Sequence, residues 1–185
     1  MPERTLPPRG DATRLRPAVA DDALCLAVLG MQVFLDTYAT QGIRPTLARE
    51  VLATFSVDAC RAFIEAPSSR VHVAEVDGHL VGFGHVALGA GHDLAPPGAP
   101  SELVRLYVQE PFTGRGIGAA LLREAERAAS AAGSSVLWLT PWAHNRRALR
   151  FYAANGYRDY GRTWFAFEGE SHENRLMAKA LPSKD

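Results

Sequence analysis

Three glycines at alternate positions punctuate the run Thr113-Gly114-Arg115-Gly116-Ile117-Gly118. Each one removes a Cβ that would hold a ligand away from the main chain. A helix predicted to open at Gly116 aims its unpaired N–H groups, and the positive end of its dipole, at one point. A diphosphate suits that point, and Arg115 can add a charge-assisted contact. A ligand-free tight turn would use the same glycines, so spacing alone leaves both readings open. Two nucleotide loops also compete. A P-loop closes with Gly-Lys-Ser/Thr, whereas Ile117-Gly118-Ala119 stands here. Gly114, Gly116 and Ala119 do satisfy the dinucleotide fingerprint G-x-G-x-x-A. That fingerprint leaves its strand directly and finds an acid at the end of the next strand. Here the residues Gln109 to Thr113 intervene, and the next strand ends at Thr140-Pro141.

A second pattern follows: Asn145-x-x-Ala148-x-x-Phe151-Tyr152-x-x-x-Gly156-Tyr157. On a helix, steps of three and four place Asn145, Ala148 and Tyr152 on one side, with Phe151 beside Tyr152. That side carries an amide, a small residue that permits close approach, and a phenol. A core helix would also place a Phe-Tyr pair at this spacing.

The elements that must hold these residues are legible in outline. A short strand over ATRLRPAV closes at Pro17, and Asp21 or Asp22 caps a helix with an inward stripe of Leu24, Val28, Met31 and Leu35. A helical stretch from Thr46 to Ala66 breaks near Ser56, which caps its second half. Cys60, Phe63 and Ile64 face the core there. RVHVAEV and HLVGFGHVAL form a hairpin around Asp77-Gly78, which supplies the positive φ angles. Gly89 to Pro100 reads as a flexible loop that could wall the acceptor site. The strand SELVRLYV leads to the glycine loop, and a helix from Gly116 to Ala132 ends at Gly133. SSVLWLTP is a strand, Asn145 to Asn155 a helix stopped by Gly156. YRDYGRTWFAFEG and ENRLMAKAL close the domain as an antiparallel pair. The expected fold class is α/β, a mixed sheet with helices on both faces. Residues 1–12 read as a disordered tail and 13–182 as one domain.

Composition narrows the partners. Lys+Arg and Asp+Glu are equal at 20 each, so no global field attracts nucleic acid or an anionic membrane. No apolar h-region opens the chain and no apolar run approaches about 20 residues. A cytoplasmic location is the expectation. Cys25 and Cys60 lack CxxC spacing and read as buried thiols. His72, His79 and His85 on the hairpin come without HxxxH, HExxH or a Cys/His set, so no metal site is expected. No Gly-x-Ser-x-Gly elbow offers a covalent nucleophile. Trp138, Trp142 and Trp164 read as core or pocket wall, with Trp142 the best placed to touch a substrate.

Together the glycine loop and the Asn145–Tyr157 pattern resemble the GNAT superfamily of N-acetyltransferases. The second signature, N-x-x-A-x-x-F-Y-x-x-x-G-F/Y, is matched throughout. The first, R/Q-x-x-G-x-G/A, is matched except that Thr113 stands at its leading position. The resemblance covers nearly the whole chain. ELVRLYV, LWLTPWAHNRRALRFY, Phe34-x-x-Thr37-Tyr38 and the terminal FAFEG…ENRLMAKAL are similar to the branch related to bacterial spermidine/spermine (polyamine) acetyltransferases, from which His144 departs. Asp36, Glu102 and Glu168 would suit such an acceptor.

The resemblance implies a largely antiparallel twisted sheet of six to seven strands and direct transfer of acetyl from acetyl-CoA to a primary amine of a small molecule. It implies that the Thr113–Ala119 loop, with Gly114 and Ile117, holds the pyrophosphate through the amides of Arg115, Gly116, Gly118 and Ala119. Leu106, Tyr107 and Val108 would line the pantetheine arm and polarise the thioester. Asn145, with Ala148 and Phe151, would contact the cofactor, and Tyr152 would protonate the departing thiolate. Glu102 stands where some relatives place a basic glutamate, though a solvated strand-end carboxylate would look the same. Acetylation of a protein or peptide N-terminus, and a degenerate acyl-CoA sensor motivated by Thr113, are the alternatives. The resemblance also admits a homodimer.

Overall fold

Asp77 and Gly78, at φ 51° and 76°, make the left-handed pair that a two-residue hairpin needs. They join strand β2 (Ser69–Val76) to β3 (His79–Leu88), and the sheet grows from this hairpin. The computed structural model describes residues 13–98, 100–167 and 170–182. The tail expected over 1–12 and Glu168 lie outside the described residues. β1 (Arg14–Pro17) adds to β2, and β4 (Pro100–Val108) adds to β3. β5 (Val136–Leu139), β6 (Arg158–Phe167) and β7 (Glu170–Ala180) complete seven strands in the order β1-β2-β3-β4-β5-β7-β6. Every pairing is antiparallel except β4 with β5.

Helices cover both faces. Val71, Val73 and Phe83 point at α1 (Ala23–Tyr38) and α3 (Val57–Glu65). Ala74, Val76 and Val81 point the other way, at Ile117 and Leu121 of α4 (Ile117–Ala131). An extra residue in β3 at Val81 shifts the register between Ala74 and Glu75, which is how Val81 and Phe83 come to face opposite sides. α2 (Pro45–Thr54) leads to Ser56, whose Oγ accepts the Ala59 amide at 3.2 Å and caps α3 as expected. α5 (Arg146–Ala154) packs Tyr152 with Tyr157, Leu139 and Met177.

The expected inward stripe of α1 holds in its second half, where Met31 and Leu35 pack against Leu47, Val51 and Phe55, and fails in its first. Leu24 and Val28 are each 61% exposed, while Ala23, Leu26, Ala27 and Gly30 face the core. The cause is close approach: a Cβ at Gly30 would overlap the Phe55 ring, so the small-residue side must turn inward. Cys25 rides the outer face and is exposed, against expectation, while Cys60 is buried. Asp22 occupies the helix start without capping α1. Its carboxylate accepts Arg16 Nη1 and Nη2 at 2.7 and 2.8 Å and the Val19 amide at 2.8 Å. Trp164, expected in the interior, is 60% exposed on β6, an edge strand.

Two departures from regular pairing open the sheet where the chemistry is placed. β4 and β5 pair only over Pro100–Glu102 with Val136–Trp138, so the remainder of β4 diverges from its neighbour. β4 also carries an extra residue, Val104, opposite the junction of His85 and Val86. Among the described residues of the Gly89–Pro100 loop, none lines this opening. The loop lies over the β5–β7 face instead, where Trp138 Nε1 donates to Ala90 O at 2.7 Å and Ala90 and Ala95 cover Leu176.

Candidate active site

A cleft of about 1050 Å³ occupies the gap between β4 and β5. Leu103 to Val108 form one wall and Leu139 to Trp142 the other, with the glycine loop and α5 at one end and the end of α1 at the other. One edge of β4 is taken by β3, so the divergence leaves the other edge free to meet a ligand.

The loop has the geometry a phosphate cradle needs. Gly114 and Gly116 sit at φ 74° and 82°, and a Cβ built on either would meet nothing within 4 Å. The backbone is therefore open toward the cleft. The first carbonyl bond of α4 is Ala120 N to Gly116 O at 2.9 Å, which leaves the amides of Ile117, Gly118 and Ala119 without a helical acceptor. Gly118 faces α5, with its Cβ position at an ordinary contact distance of 3.6 Å from Phe151 Cζ. Thr113 Oγ1 donates to Glu110 O at 2.8 Å and so locks the preceding turn. Thr113, Gly114, Gly116, Gly118 and Ala119 line the cleft. Ile117 is buried under the helix start, and the Arg115 guanidinium lies 5.1 Å from the Phe112 ring centre.

Asn145 caps α5: its Oδ1 accepts the Ala148 amide at 3.0 Å, leaving the Nδ2 side for a ligand. Arg146, Arg147 and Arg150 also line the cleft. Cations near a helix N-terminus oppose the dipole, a cost that an anionic ligand would offset. Sequence reasoning passed over this arginine cluster, although its position on the helix was the available signal. Tyr152 lines the cleft from a buried ring packed against Phe151 at 5.2 Å and Tyr157 at 5.7 Å. Burial, with the phenols of Tyr107 and Tyr38 nearby, raises its pKa, so the hydroxyl stays protonated. Tyr107 shares the cleft and is raised for the same reason, with Arg105 opposing.

The far end is made by α1. Val33, Asp36, Thr37, Tyr38 and Thr40 reach the cleft and face Trp142 and His144. Gln109 Nε2 donates to Gln32 Oε1 at 2.8 Å, tying α1 to the end of β4. Val33 and Thr40 carried no signal in the sequence, because nothing local shows that α1 ends over β4.

Glu102 does not line the cleft. It stands opposite Ala87 and beside Trp138, where β4 still pairs on both sides. The extra residue at Val104 puts it on the same face as Arg105 despite the odd spacing. Burial pushes its carboxyl upward and Arg105 draws it back. Arg105 Nη1 lies 3.2 Å from His85 Nδ1, and its guanidinium sits over the rings of Phe55 and Phe63. Burial first, then Arg105, depresses the His85 pKa to about 4, so this imidazole is neutral and its Nδ1 accepts. Among the described residues, no group of His, Cys, Asp and Glu could hold a metal ion, and no helix is long and apolar enough to cross a membrane.

Residues 40–157 match the acetyltransferase (GNAT) family. An uncharacterized N-acetyltransferase of Mycobacterium bovis is 32% identical over 136 residues, 70% of this chain and 81% of its own length. Another, of Lactobacillus delbrueckii subsp. lactis, is 28% identical over 155 residues, 83% of this chain and 88% of its own. Among solved structures, the PaiA N-acetyltransferase of Thermoplasma acidophilum in complex with coenzyme A superposes with a TM-score of 0.74 at 21% identity, over 92% of this chain and 99% of that one. YncA of Salmonella typhimurium, solved with acetyl-CoA, gives 0.66 at 18% identity, over 94% and 96%.

Proposed function

Since the chain belongs to the acetyltransferase (GNAT) family and is an acetyl-CoA-dependent N-acetyltransferase, we propose that its acceptor is the primary amine of a small molecule. One observation carries this reading: Tyr38 of α1 meets Trp142 of the opposite wall at 5.6 Å between ring centres. That contact makes the acceptor end a pocket instead of the open groove that a peptide would need.

The residues present fit acetyl-CoA. A Cβ at Gly114 or Gly116 would fill the cradle, and the free amides of α4 meet the pyrophosphate. Arg146, Arg147 and Arg150 add cations to that end. The free edge of β4 over Leu106 to Val108 lines the pantetheine arm and directs backbone donors at the thioester oxygen. Bound there, acetyl-CoA supplies a thioester carbon, to which the amine nitrogen bonds as the C–S bond breaks. Tyr152 holds the proton that the departing sulfur takes. Glu102, its carboxyl raised by burial, receives the proton lost by the amine through water, because it stands outside the cleft wall. The pocket offers a polyamine two carboxylates, Asp36 and Glu110, and Glu110 is already paired with Arg147 at 2.8 Å.

The test is a calorimetric titration with acetyl-CoA followed by thiol release on a panel of small amines and peptides. Saturable binding with release on small amines is expected. Release on peptide N-termini alone would overturn the proposal, and binding without release on any acceptor would make the chain a sensor.

A further inference from the structure

The acceptor end of the cleft is built from rings more than from charges. Phe34 and Tyr38 meet at a tilt along α1 with centres 4.5 Å apart, Tyr38 meets Trp142 at 5.6 Å, and Trp142 meets His144 at 5.2 Å. Tyr38, Trp142 and His144 all line the cleft. Tyr38 is 41% exposed, yet burial raises the pKa of its hydroxyl. Part of its ring is open to a ligand in the cleft.

Trp142 is held in place by the sheet. Its backbone bridges Asn174, the Arg175 amide donates to Pro141 O at 2.9 Å, and the Ala143 amide donates to Glu173 O at 2.9 Å. Asn174 Nδ2 adds a bond to Thr140 O at 3.1 Å. The backbone that carries the ring is thus fixed, which lowers the ordering cost when a ligand stacks on it.

Charge points the same way. Among the described residues, Asp36 is the one lining carboxylate outside an ion pair, since Glu110 is engaged by Arg147, whereas Arg105, Arg146, Arg147 and Arg150 all line the cleft. A polyamine would bring further ammonium groups beyond the reacting nitrogen, with one acid to receive them.

Resting on the N-acetyltransferase reading above, we propose that the acceptor is an arylalkylamine: a primary amine carried on a flat aromatic body that lies against Tyr38 and Trp142. Asp36 at the rim accommodates at most one further charge. Trp142 and Tyr38 are then specificity residues and leave acetyl-CoA binding to the opposite end of the cleft.

The experiment compares kcat/KM for phenethylamine, hexylamine and spermidine at saturating acetyl-CoA, in the wild type, Trp142→Ala, Trp142→Phe and Tyr38→Leu. Phenethylamine should exceed both other amines by about tenfold, within what aromatic stacking supplies. Trp142→Ala and Tyr38→Leu should remove most of that preference, Trp142→Phe should retain it, and acetyl-CoA affinity should stay constant in all four. A preference for spermidine, or an equal loss on phenethylamine and hexylamine in Trp142→Ala, would overturn the assignment while leaving the transferase reading intact. Acetyl-CoA binding without thiol release on any of the three would sink both. The wild-type ranking needs no variant, so a misfolded mutant does not shield the proposal.

Discussion

Replacing Tyr152 with Phe isolates the proton that the reaction must give to sulfur. The ring stays: its contacts with Phe151 and Tyr157, at 5.2 and 5.7 Å, do not involve the oxygen. The hydroxyl faces the cleft, and no hydrogen bond contributes to its raised pKa. Removing it should therefore change folding stability by less than about 1 kcal/mol, because no protein partner is left unpaired. The thiolate would have to leave without a positioned acid, a loss of about 10²-fold in kcat, or about 2.7 kcal/mol of barrier. Acetyl-CoA affinity should hold, since the proposed pyrophosphate cradle lies at the start of α4. In the wild type, burial raises the phenol pKa, so no alkaline fall in kcat should arise from Tyr152 at or below its ordinary pKa of about 10. The assay is single-turnover thiol release from preformed acetyl-CoA complex, paired with calorimetric affinity and urea unfolding. A kcat within about threefold of wild type, or a loss explained by weaker acetyl-CoA binding, would refute the assignment of Tyr152 as the acid.

Three further outcomes are expected. Glu102→Gln should lower kcat/KM by about tenfold or more, most strongly at low pH, where free amine is scarce; a constant mutant-to-wild-type ratio from pH 6 to 9 would remove Glu102 as the base. Gly116→Ala puts a side chain on a φ of 82° and a methyl into the cradle, so it should cost about 1 kcal/mol of stability and weaken acetyl-CoA binding about tenfold or more, read by urea unfolding and calorimetry. His85, neutral in the fold with its pKa near 4, binds a proton in the unfolded chain below about pH 6.5. The fold should thus lose up to about 3 kcal/mol as pH falls from 6.5 to 4, and His85→Gln should show a visibly smaller drop in urea midpoint over that range.

Local chemistry made much of this molecule legible. The Asp77-Gly78 turn, the Ser56 cap, and the helix stops at Gly133 and Gly156, both at φ 88°, follow from residues that tolerate a particular backbone geometry wherever they occur. The positive-φ turn at Gly114 and Gly116 follows for the same reason. α1 is a helix as expected, but of its stripe only Met31 and Leu35 pack inward while Leu24 and Val28 face out, since the first turns carry two apolar stripes and periodicity cannot rank them. The approach of Phe55 to Gly30 chose the small one.

Sequence alone determined the glycine turn that opens α4, the helix that carries Tyr152, and how the backbone turns between elements. Tertiary structure decided how the two ends of a cleft meet. The separation of β4 from β5 after three paired residues, and the single extra residue at Val104, are properties of strands brought together from distant parts of the chain. The facing of Tyr38 and Trp142 requires α1 to end over β4 and the Pro141–Ala143 segment to be bound to β7. No short-range preference encodes either arrangement, because each is fixed by packing between residues distant in sequence, Tyr38 and Trp142 among them.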